Sequence, residues 1–295
     1  MSWKGLLLAG GTGSRLDPVT RTVNKHLLPV FDKPMIYYPL TTLMFGDIRD
    51  ITIVSTETGV EQIRTLLGDG AHLGLALSYL VQEKPGGIAE ALLLAEKTLS
   101  GHNVAMILGD NIFVGSSLDQ TLAQAKCGNK GATVFGYEVA NPSAYGIVSF
   151  KDGKPSSLIE KPAASRSRTA VTGLYIYDKD VFDIARTISP SARGELEITD
   201  VNRVYLDRGL LDVQNLGRGT AWLDGGTPGD LYEASQFVHV VQTRTGLKIA
   251  APEEVAYRRN FISKVDFLSL TQRFAPSEYR KYLEEILKES DEDSI

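Results

Sequence analysis

Four apolar runs of strand length, Gly5 to Ala9, Ile51 to Ser55, Leu77 to Val81 and Val104 to Leu108, alternate with stretches of helical pattern. The helical stretches are Met35 to Phe45, Val60 to Leu67, Ile88 to Leu99 and Leu118 to Ala125, with Pro34 placed near the start of the first. Such alternation predicts a mainly parallel sheet covered by helices. Ligands of these sheets bind beyond the carboxyl ends of the strands. Gly10-Gly11 leaves the first strand at that end and Gly109-Asp110-Asn111 leaves the fourth, so two separated motifs should converge on one crevice.

From Ala132 the texture is more β-rich, with strands expected over Thr133 to Val139, Ile147 to Phe150, Ser157 to Glu160 and Ala170 to Tyr177. Asn141-Pro142 and Asp152-Gly153 supply the turns between them. Asp230 to Thr243 and Ser277 to Lys288 read as helices, and the acidic Glu289 to Asp293 as a frayed end. The expected fold class is α/β: a Rossmann-like, mainly parallel central sheet covered by helices, a β-rich second lobe and C-terminal helices. The expected division is a core over residues 1–226, its two parts meeting near 130, and a helical region over 227–295.

The glycine-rich turn Leu8-Ala-Gly-Gly-Thr-Gly-Ser-Arg-Leu16 narrows the chemistry. Gly10, Gly11 and Gly13 lack Cβ atoms, so backbone N–H groups can approach phosphate oxygens, and Arg15 and Lys25 supply charge. Two better-known loops do not fit. The dinucleotide fingerprint needs a third glycine where Leu16 stands, and the Walker loop needs Gly-Lys-Ser or Gly-Lys-Thr where the chain has Gly13-Ser14-Arg15. A dehydrogenase and an ordinary kinase are therefore disfavoured. With 295 residues and 43% hydrophobic content the chain can bury a large core, and a net charge of −5 argues against non-specific nucleic-acid binding. Cys127, the single cysteine, excludes an intrachain disulfide, and no apolar run is long enough to span a membrane. A cytoplasmic protein with no nucleic-acid or membrane partner is expected.

Asp110 and Asp224 each close an apolar segment beside glycine. Two carboxylates at strand ends suit Mg²⁺, which takes one or two carboxylates and completes its octahedron with water and substrate phosphates. A glycosidase pair is the competing reading, but it leaves Arg15 and Lys25 unused. Glu160-Lys161 places an acceptor for sugar hydroxyls beside a cation for a phosphate, and Arg193 opens an acidic segment that reaches Asp200. Gln82 offers the donor and acceptor needed by a pyrimidine edge, while Gly86-Gly87 and Tyr145-Gly146 offer close backbone approach. His26, His72, His102 and His239 have no metal-ligand spacing.

The blocks Leu8 to Leu16, Lys25 to Leu40, Leu-Gly-Asp110-Asn, Glu160-Lys-Pro, Val171-Thr-Gly-Leu-Tyr, Gly194 to Asn202 and Ala-Trp-Leu-Asp224 occur in order. In these the chain resembles the bacterial glucose-1-phosphate thymidylyltransferases over nearly its whole length. The resemblance implies a sugar nucleotidyltransferase core whose nucleotide-binding part is about 1–130 and whose sugar-phosphate part is about 131–226. It implies that Leu8, Gly10, Gly11 and Gly13 hold nucleotide, that Gln82 and Gly87 read its base, and that Arg15, Lys25, Asp110, Lys161 and Asp224 carry the reaction. Asp110 and Asp224 would bind Mg²⁺. Tyr145, Gly146, Glu160, Lys161, Val171 and Arg193 would surround the sugar phosphate. It further implies dTTP and a hexose 1-phosphate as substrates, a homotetramer, and inhibition by a dTDP-sugar at a second site.

Five positions depart from the family pattern, which usually has threonine at Ser14, glutamine at His26, aspartate at Gly86, glutamine at Glu90 and threonine at Gly225. Gly86 and Gly225 are expected to loosen the backbone near the base and the second carboxylate. His26 is read either as a neutral replacement or as a titrating donor that tunes pyrophosphate release. The expected reaction is in-line attack of a sugar phosphate on the α-phosphorus of a nucleoside triphosphate. UTP is an alternative donor, because one methyl group is worth only about 1 to 3 kcal/mol of discrimination. The alternative of another class is a regulatory homologue that holds sugar nucleotide without turning it over.

Overall fold

The computed structural model describes residues 2–11 and 13–292. The strands are β1 (Trp3–Ala9), β2 (Pro29–Val30), β3 (Lys33–Pro34), β4 (Asp50–Ser55), β5 (Ala76–Val81), β6 (Asn103–Leu108), β7 (Asn111–Val114), β8 (Ala132–Glu138), β9 (Gly146–Lys151), β10 (Lys154–Glu160), β11 (Thr169–Tyr177), β12 (Leu211–Asn215) and β13 (Ala221–Asp224). The α-helices are α1 (Tyr37–Phe45), α2 (Glu57–Leu67), α3 (Ile88–Leu94), α4 (Glu96–Leu99), α5 (Leu118–Gly128), α6 (Val181–Ala185), α7 (Ile198–Asp207), α8 (Pro228–Thr245), α9 (Pro252–Arg258), α10 (Lys264–Thr271) and α11 (Glu278–Glu292).

The main sheet runs β10-β9-β11-β6-β1-β4-β5, with β8 on β11 and β12 on β8. All four strands expected in the first half lie in it, and β6, β1, β4 and β5 are mutually parallel. From β1 the chain winds outward through β4 to β5, then returns to place β6 on the other side of β1. That reversal is a switch point, and it opens a crevice beyond the carboxyl ends of β1 and β6. Strand β11 pairs antiparallel with β6 and carries β8 and β9, also antiparallel, while β12 runs parallel to β8 at the edge. Asp152 and Gly153 sit at φ 51° and 76° between β9 and β10, so this two-residue turn needs left-handed backbone at both positions.

Alternation along β1 feeds two cores. Leu7 belongs to the core that also holds Leu40 and Leu43 of α1 and Val255, Phe267 and Leu283 of the C-terminal helices. Leu6 and Leu8 belong to a second core that also holds Leu92 of α3 and Val201 and Tyr205 of α7. The structure differs from the sequence expectations in four places. Pro34 lies in β3 and not in the first turn of α1, which begins at Tyr37. The helix expected over Ile88 to Leu99 is broken after Leu94. Helix α11 continues through Glu292 where fraying from Glu289 was expected, and Asp293 lies outside the described residues. Helices α9 and α10 were not anticipated, although Ser263 and Asp266 form a capping box at the start of α10.

Candidate active site

The crevice at the switch point is a cavity of about 400 Å³. Every residue expected at the site lines it except Gly13. Gly13 is at φ 66°, and a Cβ there would stand 2.8 Å from Thr20 Cγ2. It is glycine because the tight turn over Ser14–Leu16 begins there, so it aims Arg15 and does not itself wall the cavity. Gly10 borders the cavity, and a Cβ on it would fall 2.8 Å from Gln82 Oε1.

Asp110 and Asp224 are 114 residues apart in sequence, and a two-stranded ribbon brings them together. Strand β7 starts directly after Asp110 and pairs antiparallel with β13, in a register that sets Asp224 opposite Asn111. The Gly225 N–H donates to the Asp110 carbonyl at 3.0 Å. Gly226 keeps open the space shared by Arg15 and Asp224: a Cβ there would lie 2.7 Å from an Arg15 guanidinium nitrogen and 3.0 Å from Asp224 Oδ1.

The two carboxyls are in opposite electrostatic states. Burial would raise Asp110, but the Lys25 ammonium, which donates to its Oδ2, holds it below the usual carboxylate range. Asn111 donates to the other oxygen at 3.0 Å. Asp224 is pushed up to about 6, first by burial and then by the charge of Asp110. Its buried Oδ1 has no hydrogen-bond partner. A buried carboxylate oxygen with no partner, on a side chain that feels the charge of Asp110, fits a hard divalent cation that takes its remaining ligands from water and phosphate. Among the described residues no three His, Cys, Asp or Glu side chains form a closed metal cage.

At the far end, β9 and β10 pair so that Glu160 lies opposite Gly146, and the Lys161 N–H donates to the Tyr145 carbonyl at 3.0 Å. Glu160 Oε2 accepts from the Thr199 hydroxyl at 2.7 Å, while its Oε1 is a loose 3.9 Å from Lys161 Nζ. Lys161 is held at φ 42°, a strained conformation for a residue with a Cβ. Arg193 donates to Glu197 Oε1 at 2.8 Å.

A nucleotidyl transferase family model matches residues 4–240. A glucose-1-phosphate thymidylyltransferase of Neisseria meningitidis is 49% identical over 286 residues, covering 97% of this chain and 99% of the relative. The chain belongs to the glucose-1-phosphate thymidylyltransferase family. A crystal structure from Bacillus anthracis, described as a glucose-1-phosphate thymidylyltransferase in complex with a sucrose, superposes with a TM-score of 0.75 at 41% identity, over 80% of this chain and 95% of that one. A UDP-glucose pyrophosphorylase complexed with UDP-glucose gives 0.72 at 26% identity, over 82% and 100%.

Against the family pattern, the departures are compensated within the fold. A Cβ at Gly225 would fall 2.4 Å from Met35 Cε, so the fully buried Met35 fills the space a side chain would take. A Cβ at Gly86 would fall 2.2 Å from the Glu90 carboxyl, which occupies that volume. The volume that a side chain would take at each glycine is therefore already filled by a neighbour. His26 is buried, and its Nδ1–H donates to Asn24 Oδ1 at 2.8 Å. Burial and then the neighbouring Lys25 drive its pKa down to about 3, which keeps the ring neutral. The neutral reading of His26 is the one this burial favours.

Sequence reasoning assigned no role to Asn111 or Trp222. Asn111 Oδ1 accepts from Trp222 Nε1 at 2.7 Å and from the Gly173 N–H at 3.0 Å, so it ties β7, β13 and β11 together beside Asp110. Trp222 in turn packs on Tyr145, with ring centroids 5.1 Å apart. Both residues stand inside quoted motifs, but their partners lie 62 to 111 residues away. Thr199 has the same history.

Proposed function

We propose that this chain joins a hexose 1-phosphate, α-D-glucose 1-phosphate fitting best, to dTTP and releases pyrophosphate. The observation that carries this reading is that one cavity is walled at one end by Arg15, Lys25, Asp110 and Asp224 and at the other by Glu160, Lys161 and Arg193. A pure binder would not need both charge sets. A sugar-phosphate oxygen attacks the α-phosphorus, the bond from that phosphorus to the bridging oxygen breaks, and pyrophosphate leaves with the electron pair. Bringing two anions together is the main obstacle, so Lys161 screens the nucleophile while Arg15 and Lys25 meet charge on the α-phosphate and the leaving group. Asp110 and Asp224 are the residues to hold Mg²⁺, which when bound supplies further neutralisation of the triphosphate. Glu160, fixed by Thr199, accepts from sugar hydroxyls, and Tyr145, Gly146 and Val171 wall that end.

Base choice rests on Gln82 and Gly87, with Leu8, Gly10 and Gly11 along the nucleotide. Thymine and uracil both suit this pocket, so UTP is expected as a slower donor. Assembly as a homotetramer, feedback by a dTDP-sugar and a cytoplasmic location complete the proposal. Tyr232 and Val240 of α8 are exposed, and among the described residues no helix is long and apolar enough to cross a membrane.

The test is a matrix of nucleoside triphosphates against sugar 1-phosphates, read as pyrophosphate release with and without Mg²⁺. The expected maximum is dTTP with glucose 1-phosphate. Nucleotide binding with no release from any pair would overturn the reading in favour of a binder.

A further inference from the structure

We propose that Glu90 is a positioning residue that locks the side-chain amide of Gln82 in one orientation and thereby selects pyrimidines with an N3–H. This rests on the base-reading role given to Gln82 above. Glu90 Oε2 accepts from Gln82 Nε2 at 2.7 Å and from the Gly86 N–H at 3.0 Å. The Gly87 carbonyl lies 3.4 Å from the same Nε2. A carboxylate and a carbonyl only accept hydrogen bonds, so the amide nitrogen must face them and the amide cannot turn over. Gln82 Oε1 is therefore presented on the opposite side, against Gly10, and no described residue donates to it.

The sequence alone left Gln82 free to act as donor or acceptor. In the fold its donor is consumed, and the cavity receives an acceptor only. Thymine and uracil carry an N3–H that such an oxygen can accept, whereas N3 of cytosine is itself an acceptor and would face the oxygen without a proton between them. Gly86 and Glu90 work as a pair. With no side chain at 86 the Glu90 carboxylate reaches Gln82, and a Cβ there would fall 2.2 Å from it and push it away. Residue 90 stands in the first turn of α3, close to the loop that holds Gly86 and Gly87, which is why a side chain of this length spans the gap.

The experiment is calorimetric binding of dTTP and dCTP to the wild type and to Glu90→Ala, Gly86→Ala and Glu90→Gln. The wild type should favour dTTP. Glu90→Ala removes the lock and Gly86→Ala displaces it, so each should narrow the dTTP to dCTP preference by ~10-fold, as expected for one misread base contact, with dCTP binding tightening in absolute terms. Glu90→Gln should keep the preference, because its amide oxygen can accept from both Gln82 and Gly86. A wild type indifferent to the two bases would overturn the proposal. So would an unchanged ratio in both alanine variants, or equal weakening of both nucleotides. Binding ratios that shift as expected in a protein releasing no pyrophosphate would leave this inference standing and remove the catalytic reading instead.

Discussion

The two ends of the cavity carry similar charges in different physical states. At the nucleotide end, the side chains of Lys25 and Asp110 are 9% and 17% exposed and already paired. At the sugar-phosphate end, those of Lys161 and Glu160 are 50% and 32% exposed and 3.9 Å apart. The parallel half of the sheet buries its charges because helices cover both faces around β1 and β6. The antiparallel half delivers its charges from a strand end and from the segment before α7, where water reaches them. On the proposed reading one end is built before substrate arrives, and the other is completed by it. Substitutions at the first end should damage fold and activity together, while those at the second should damage activity alone.

The largest effect belongs to Lys25→Met. It removes a cation from the reaction and leaves Asp110 as an unpaired buried charge. Turnover should fall by ~10² to 10³, and unfolding free energy by about 3 to 5 kcal/mol. Pyrophosphate release and urea denaturation measure the two losses. Lys161→Ala should cost a comparable ~10² to 10³ in turnover and leave the denaturation midpoint within error, since an exposed pair is worth about 0 to 1 kcal/mol. Equal destabilisation by the two substitutions would break the comparison between the two ends.

Asp224→Asn sharpens the same contrast from the metal side. The Asp224 carboxyl is raised to about 6, so its contribution to stability is present in full below its unfolded value and is lost as pH rises through about 6. In Mg²⁺-free buffer above that pH, the asparagine variant should be more stable than the wild type by on the order of 2 kcal/mol. The difference should close below about pH 4, where both side chains are neutral. Added Mg²⁺ should raise the melting temperature of the wild type and not of the variant. A wild type whose stability ignores both pH and Mg²⁺ would show that Asp224 does not face a second charge.

How much of this was visible in sequence follows from the reach of each signal. Strands β1, β4 and β6 announced themselves because strands buried on both faces are largely apolar, the edge strand β5 stood out only by its apolar run, and the glycine turns after β1 and β6 marked their ligand-facing ends. Asp110, Asp224 and the Glu160-Lys161 pair were legible as residues released from apolar runs. The ribbon of β7 and β13, which actually joins Asp110 to Asp224, was not, because each of its strands is only four residues long and acquires its register from the other. Asn111 was readable as a residue beside Asp110 but not as a tie, since its partners Trp222 and Gly173 come from distant strands. Gly86 and Gly225 were read as loosened backbone because sequence shows an absent side chain without showing that Glu90 or Met35 fills its place.

The smallest effect expected is at His26, and it tests whether the nucleotide end is as rigid as its burial implies. The ring is buried beside Lys25 and donates to Asn24, and its pKa of about 3 lies well below the usual imidazole range. A lowered pKa contributes stability that is present above about pH 6.5 and is lost only as pH falls toward 3, so no protonation change occurs where the enzyme would work. His26→Gln should therefore leave the shape of the pH–rate profile unchanged between about pH 6 and 8, whatever it does to the absolute rate. The measurement is pyrophosphate release across that range for both proteins. A limb near pH 6.5 in the wild type that vanishes in the variant would mean that the ring is protonated beside a paired ammonium. That would require water to enter the nucleotide end and erase its difference from the sugar-phosphate end.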